Sequence, residues 1–245
     1  MIYSIVIPAH NEAANLERFV SRFIDTLVTS YSHVVFEVII VENGSTDDTI
    51  LCADRLKNKY PGIVSVLHNK RGSYGEAIKR GMQNSNGEYL SILECDVLDV
   101  EFVKHSISLF EKGHTRFIVA SKNHPDSVDR RPLKRRVLTY IFNKLLKLAF
   151  SYPGTDTHGL KSIETSLAKD LCRKAVTTDE IFQTEIVLIA WRLGIDIIEL
   201  PIQIEEVRST PVSIKRRVPM VLDLMRQLRV SLKRFPVGGS PSGIR

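Results

Sequence analysis

Four apolar, β-rich runs, at residues 2–8, 36–41, 63–68 and 89–93, are each followed by a stretch of helical periodicity. This alternation constrains the fold more than any other feature of the chain. The first helical pattern puts Leu16, Phe19, Val20, Phe23, Ile24 and Leu27 on one face, and others cover 49–59, the stretch up to Met82, and about 101–111. Strands separated by helices pair in parallel through right-handed crossovers, because a tight hairpin can join only antiparallel neighbours. A chain of 245 residues, 43% of them hydrophobic, can bury one sizeable core. The expected fold is therefore a single α/β domain with a mostly parallel central sheet flanked by helices. In such sheets ligands bind beyond the carboxyl ends of the strands, and the segments 8–12, 42–45 and 94–96 all fall there.

The second half is less regular. It reads as a strand at 116–120, a helix at 133–150, a loop at 153–159, helices near 164 and over 181–192, and a last strand at 195–204 before a basic loop. A terminal helix over 218–234 carries Val218, Val221, Leu222, Met225, Leu228 and Leu232 on one stripe. The predicted organisation is a domain body at 1–217, a basic amphipathic helix at 218–235, and a Gly/Ser/Pro-rich tail at 236–245 expected to be disordered.

The net charge of +6 is unevenly distributed. Residues 122–147 hold eight Lys/Arg against Asp126 and Asp129, and residues 208–234 hold eight against Asp223, leaving the remainder of the chain acidic. Such polarity fits an anionic partner, whether a phosphorylated substrate or a lipid surface, as well as it fits solvated helix faces. Nucleic acid is not expected, since neither a recognised binding motif nor a run of stacking aromatics accompanies the charge. The helices at 133–150 and 218–234 set basic residues beside an apolar stripe, a pattern that serves a membrane interface or packing onto the domain. No apolar run approaches the ~18 residues of a membrane span. Cys52, Cys95 and Cys172 are odd in number and lack a C-x-x-C pair, so reduced thiols are expected. The chain is thus expected to be cytoplasmic, either soluble or peripheral on the cytoplasmic face of a membrane, and a homo-oligomer is left open.

Glu94-Cys95-Asp96 follows the strand at 89–93. Side chains two apart on a strand face the same way, so both carboxylates should emerge together and Cys95 should point into the core. Two hard oxygen donors there could seat a divalent cation that carries a diphosphate. An acidic pair that merely ends a strand for solubility is the plainer alternative. Ser45, Thr46, Asp47 and Asp48 make a good helix N-cap and are read as structural.

Taken in order and spacing, the segments Ser4-Ile-Val-Ile-Pro-Ala-His-Asn-Glu12, Val41-Glu-Asn-Gly-Ser-Thr-Asp-Asp-Thr49, Gly72-Ser-Tyr-Gly-Glu-Ala77 and Glu94-Cys-Asp96 resemble the inverting glycosyltransferases of family two, which have the GT-A fold. A later block, Ile181-Phe-Gln-Thr-Glu185 with Ala190-Trp-Arg-Leu-Gly194 and Ile198-Glu-Leu-Pro-Ile202, resembles the polyprenyl-phosphate sugar synthases of the dolichyl-phosphate mannose synthase type. The resemblance runs from about residue 3 to 217.

It implies that Pro8, Ala9, Glu12, Glu42, Asn43, Arg71, Gly72 and Cys95 border the nucleotide, with Glu12 near the ribose and the Asn43 amide carbonyl accepting from the base. It implies Glu94 and Asp96 as ligands of Mg²⁺ or Mn²⁺, with Asp96 the main one. Glu94 departs from the family's first aspartate by one methylene, and Leu98 removes a third donor. Arg208 and Lys215 would clamp the diphosphate, although Pro211 replaces a glycine in that loop. Lys122, Arg135, Arg136, His158, Glu185 and Ser213 would approach the acceptor. By composition alone, His158 and Glu185 are more often structural, and Trp191 belongs in the core.

The implied reaction moves a sugar from a GDP- or UDP-linked donor to a polyprenyl phosphate at a membrane surface. Two other readings stand beside it. One is transfer to a sugar hydroxyl, with Asp179 or Glu180 as base. The other is a non-catalytic nucleotide-sugar sensor.

Overall fold

The computed structural model describes residues 1–70, 72–205 and 214–235, without the side chains of 214–220 and 222. In chain order its elements are β1 (Ile2–Ala9), α1 (Leu16–Ser30), β2 (Val35–Glu42), α2 (Thr49–Lys59), β3 (Val64–His68), α3 (Tyr74–Asn84), β4 (Tyr89–Ile92), α4 (Val100–Glu111) and β5 (Phe117–Ser121). There follow β6 (Val128–Asp129), α5 (Leu133–Phe150), β7 (Lys161–Glu164), α6 (Thr165–Lys174), α7 (Phe182–Arg192), β8 (Ile197–Pro201), β9 (Gln203–Ile204) and α8 (Ile214–Leu232).

The central sheet has seven strands in the order β3-β2-β1-β4-β7-β5-β8. β1 is a continuous apolar run because both its faces are covered. Tyr3, Ile5 and Ile7 enter a core shared with α1, α2 and α4, whereas Val6 packs towards Ala77 of α3 on the opposite face. The residues of β5 divide the same way: Ile118 and Ala120 join the first core, Phe117 and Val119 a second built with α6, α7 and α8. Period-two alternation in the strands therefore fixes which helix layer each side chain meets. β1 pairs in parallel with β2 on one side and β4 on the other. Between β1 and β4 the sheet stops growing in one direction and starts in the other, which opens a crevice at their carboxyl ends.

Three features of the second half depart from the sequence reading. Residues 161–164, where the sequence reading gives no strand and only a helix near 164, form β7, which inserts antiparallel between β4 and β5. Four residues with Lys161 and Glu164 at the ends carry too little alternation to register as a strand. The strand expected over 195–204 is broken: β8 ends at Pro201, and β9 leaves the sheet to pair with β6. Proline offers no N–H to a ladder, and the next N–H, of Ile202, donates instead to Ser127 Oγ at 2.9 Å. The terminal helix begins at Ile214, four residues before the expected 218, and the predicted tail at 236–245 lies outside the described residues.

The two basic amphipathic helices meet different fates. α8 is docked: Leu228 and Leu232 are buried, Ser231 Oγ donates to Glu185 Oε1, and Arg192 Nη1 donates to the terminal carbonyls of Leu232 and, at 2.9 Å, Phe235. That guanidinium satisfies carbonyls the helix end would otherwise leave unpaired. α5 buries Asn143, Leu146 and Phe150 but leaves Leu133 70% and Leu148 76% exposed, with Val137, Tyr140 and Ile141 also open to solvent. Among the described residues no helix is long and apolar enough to cross a membrane.

Candidate active site

A cleft of about 740 Å³ opens where β1 and β4 end. One wall comes from the end of β1 and the loops after β1, β2 and β3. Pro8, Ala9, Glu12, Asn43 and Gly72, five of the positions expected to border a nucleotide, line it. Asn43 N donates to Ala9 O at 2.8 Å, extending the β1–β2 ladder by one bond and setting the two loop starts side by side. The Asn43 amide carbonyl accepts from Asn69 Nδ2 at 3.0 Å, which fixes its direction and leaves its second lone pair for a further donor. Asp47 accepts from Thr49 N and Ala13 N, tying the start of α2 to the loop after β1. Gly72 takes φ +61°, a left-handed conformation that costs glycine nothing.

Glu42 is placed differently from the expectation. It is buried, and its Oε1 accepts from Ser45 N at 2.6 Å, so the carboxylate closes the turn after β2 and does not line the cleft. Arg71 lies outside the described residues.

The cleft floor is the turn after β4, in which Val97 N donates to Glu94 O at 2.8 Å. Glu94, Cys95 and Asp96 all border the cleft, and Cys95 is buried in the core beneath it. The carboxylates converge through a turn rather than through continued strand alternation, since β4 ends at Ile92. Burial, then the neighbouring Asp96 charge, pushes the Glu94 carboxyl up, although it accepts from Tyr74 OH at 3.3 Å.

Two partly desolvated carboxylates that repel one another suit a divalent cation, which would relieve that repulsion. Leu98 packs against the core and offers no oxygen, and among the described residues no three His, Cys, Asp or Glu side chains gather as a metal site. Substrate phosphate and water would have to complete the coordination, as is usual for Mg²⁺. The donor set fits that cation.

The opposite wall rests on buried charge. Lys122, just past β5, pairs through Nζ with Asp156 Oδ2 at 2.9 Å, and the two side chains are only 8% and 1% exposed. Burial pushes the Asp156 carboxyl up, but the Lys122 ammonium and the N–H of His158 outweigh it and hold the group well below the usual carboxylate range. Burial also drives the His158 imidazole down to about 4, helped by the charges of Lys161 and Lys122 and opposed by Asp156. The ring is therefore neutral near pH 7; it packs edge-on to Phe142, with Nδ1 3.2 Å from Thr184 Oγ1.

Behind this loop Glu199 of β8 accepts from Thr155 N at 2.7 Å and Asp156 N at 3.4 Å. Gly159 seals the loop against β5, because a Cβ there would fall 1.5 Å from the Ala120 carbonyl oxygen. Only glycine fits such an approach. α5 completes the wall with Arg135, Leu138 and Phe142, beside Arg131, which grips Asp129 with two bonds at 2.7 and 2.9 Å.

Two residues expected at the acceptor stand elsewhere. Arg136 points to solvent from α5, outside the cleft lining. Glu185 is wholly buried, and its carboxylate accepts from Val176 N at 3.0 Å, Thr177 N at 2.9 Å and Ser231 Oγ. It ties α7 to its preceding loop and to α8, which leaves it no face towards a ligand. Arg208 and Ser213 lie outside the described residues, and Lys215 falls on α8 with its side chain likewise outside them.

Sequence reasoning passed over Tyr74, Lys161, Gln183, Arg131 and Glu199. Tyr74, Gln183 and Glu199 had a local signal, since they sit in the Gly-Ser-Tyr-Gly, Phe-Gln-Thr-Glu and Ile-Glu-Leu-Pro segments, whereas Arg131 and Lys161 had none.

The chain matches glycosyl transferase family 2 over residues 4–166 and belongs to that family. Among curated proteins it is similar to glycosyltransferase AglD of Haloferax volcanii, 28% identical over 88% of this chain and 35% of the relative. It is also similar to a dolichyl-phosphate beta-glucosyltransferase of Saccharomyces cerevisiae, 26% identical over 86% of this chain and 69% of the relative. The chain thus spans about a third of the first relative's length. Among solved structures it resembles glucosyl-3-phosphoglycerate synthase from Mycobacterium tuberculosis in complex with Mn²⁺, uridine diphosphate and glucosyl-3-phosphoglycerate, with a TM-score of 0.66 and 19% identity over 99% of this chain and 82% of that one. At that identity the likeness carries the fold, which is the GT-A fold.

Proposed function

We propose that this chain transfers a sugar, with inversion, from a nucleotide diphosphate donor to a polyprenyl phosphate. The observation that carries the reading is the pairing across one cleft of Glu94 and Asp96 with a wall that carries Lys122, Arg131 and Arg135, the first two of them held by Asp156 and Asp129. An acidic floor suits a cation that neutralises the leaving diphosphate, and a basic wall suits an anionic acceptor. The dolichyl-phosphate beta-glucosyltransferases among its relatives and the uridine diphosphate and Mn²⁺ of its structural neighbour support the same assignment.

In the proposed reaction a phosphate oxygen of the lipid attacks the anomeric carbon as the bond from that carbon to the diphosphate oxygen breaks. The bonding pair leaves with the nucleotide diphosphate, and no proton moves. Such a nucleophile needs no strong base, because a phosphate with a second pKa near ~6 is largely dianionic at neutral pH. Bound Mg²⁺ or Mn²⁺ would supply charge neutralisation to the diphosphate. Glu94 and Asp96 would hold it, Lys122 and Arg135 would orient the acceptor phosphate, and neutral His158 would contribute a polar surface without added charge.

The exposed apolar and basic face of α5 would rest on the membrane that contains the lipid, with its inner face lining the cleft. The free, buried cysteines fit a reducing compartment, which supports a site of action on the cytoplasmic face.

Incubation with labelled UDP- and GDP-sugars, polyprenyl phosphate and Mn²⁺ should yield a labelled lipid; its absence with every donor overturns the reading. A hydroxyl acceptor is favoured by one observation, the exposed Glu180 at the cleft edge, whereas Asp179 is occupied in accepting from Ile181 N at 3.1 Å. Glu180→Gln should leave lipid transfer nearly intact and should abolish transfer to a hydroxyl.

A further inference from the structure

Lys161 is wholly buried in the sheet, where an apolar residue would cost far less to place. Its Nζ donates to Gly159 O at 2.8 Å and to Gln183 Oε1. Gln183 Nε2 in turn donates to Tyr74 OH at 2.7 Å, and Tyr74 OH donates to Glu94 Oε1 at 3.3 Å. We propose that Lys161, Gln183 and Tyr74 form a one-way hydrogen-bond relay that positions Glu94, and that this relay adapts the site to a glutamate as its first carboxylate. The proposal rests on the assignment of Glu94 as a cation ligand made above.

The direction of the relay runs link by link from the Lys161 donor. With Nζ donating to Gly159 O and Gln183 Oε1, Gln183 turns its carbonyl oxygen to Lys161, and its NH₂ is left to face the phenol. The phenol oxygen, receiving that bond, has one proton to give, and Glu94 Oε1 is where it points. A neutral side chain at 161 would remove the constraint at its source, since the Gln183 amide could then flip.

Burial drives the Lys161 ammonium down to about 7 and the Glu94 carboxyl up, and within that setting each favours the ionised form of the other. The length of the glutamate makes the relay specific to this chain. Glu94 has one more rotatable bond than an aspartate and needs a restraint to aim its carboxylate. Aspartate would withdraw the oxygens by about 1.5 Å, one carbon–carbon bond, and lose Tyr74.

Two measurements test this. In a crystal structure of Gln183→Leu, the Glu94 carboxylate should leave its position in the unsubstituted protein; an unmoved carboxylate overturns the relay. Mn²⁺ alone is then titrated into the full chain and followed by loss of the free-ion EPR signal. Lys161→Met, Gln183→Leu and Tyr74→Phe should each weaken binding by about tenfold with Glu94 present. Each should change binding less than about twofold in a Glu94→Asp background, where the last link is already gone. A merely structural role for these residues would weaken Mn²⁺ to the same extent in both backgrounds, and that result also overturns the proposal. Should Lys161→Met fail to fold, the other two substitutions carry the comparison. If the unsubstituted protein takes up no Mn²⁺, the cation reading fails, and the crystal structure decides the relay by itself.

Discussion

The two walls of the cleft are built on opposite principles. The wall formed by the loops after β1, β2 and β3 is held largely by backbone bonds and neutral amides, such as Asn43 N to Ala9 O and Asn69 Nδ2 to Asn43 Oδ1. The wall formed by the loop at 155–159 stands on buried charge: Lys122 on Asp156, Glu199 behind Thr155, and Lys161 beneath Gln183. Neutral turns can be replaced piecemeal at small cost. Buried charges stabilise only as a set, because removing one partner strands the other in a medium that solvates it poorly.

The sharpest way to break that contrast is Asp156→Ala, which leaves the Lys122 ammonium buried without its counterion. It should cost about 3–5 kcal/mol of stability in urea unfolding. A loss under about 1 kcal/mol would mean that the charged wall is no more demanding than the neutral one.

Asp96→Ala separates chemistry from scaffolding. Transfer should fall on the order of 100-fold, in keeping with the loss of a group that stabilises the departing diphosphate, while the melting temperature stays within a few degrees. An unfolded variant would place Asp96 with the structural carboxylates instead.

A pH titration addresses His158. Its folded pKa of about 4 lies below the ordinary 6.5, so between those values the unfolded chain binds a proton that the folded chain does not. Stability should therefore fall as pH drops from about 6.5 towards 4. By pH 5 the loss should be roughly 1–2 kcal/mol greater for the unsubstituted protein than for His158→Gln. Parallel stability curves for the two would refute a desolvated imidazole.

The smallest effect belongs to the side of the floor next to the neutral wall. Asp99 caps α4 by accepting from Phe102 N at 3.0 Å, and Asp99→Ala should cost about 1 kcal/mol with little change in transfer. A loss as large as that of Asp156→Ala would erase the distinction between the walls.

The same division explains what could be read beforehand. Pro8, Ala9, Asn43 and the Glu94–Asp96 pair each sit at or just past the end of a strand whose pattern is local, so their place at the carboxyl edge followed from periodicity and parallel pairing, whereas Gly72 was reached only through the family resemblance. Glu42 shared that position and was nevertheless misplaced, because its direction depends on Ser45 N closing a tight turn. Glu185 stood in a segment with a family likeness, yet Val176, Thr177 and Ser231 claim its carboxylate, and no linear pattern records that contact.

By itself the sequence determined the alternation of strand and helix, the face each strand presents, the edge of the sheet at which polar loops gather, and the carboxylate pair found there. All of these depend on neighbours a few residues apart, where steric preference and burial period act directly. The tertiary structure alone decided that β7 would slip antiparallel between β4 and β5, that α8 would be docked while α5 stayed exposed, and that Lys161, Gln183 and Tyr74 would point in series at Glu94. Those outcomes set side chains from residues 74 to 183 in contact, and the direction of a buried polar group is fixed only when every donor around it has found its acceptor.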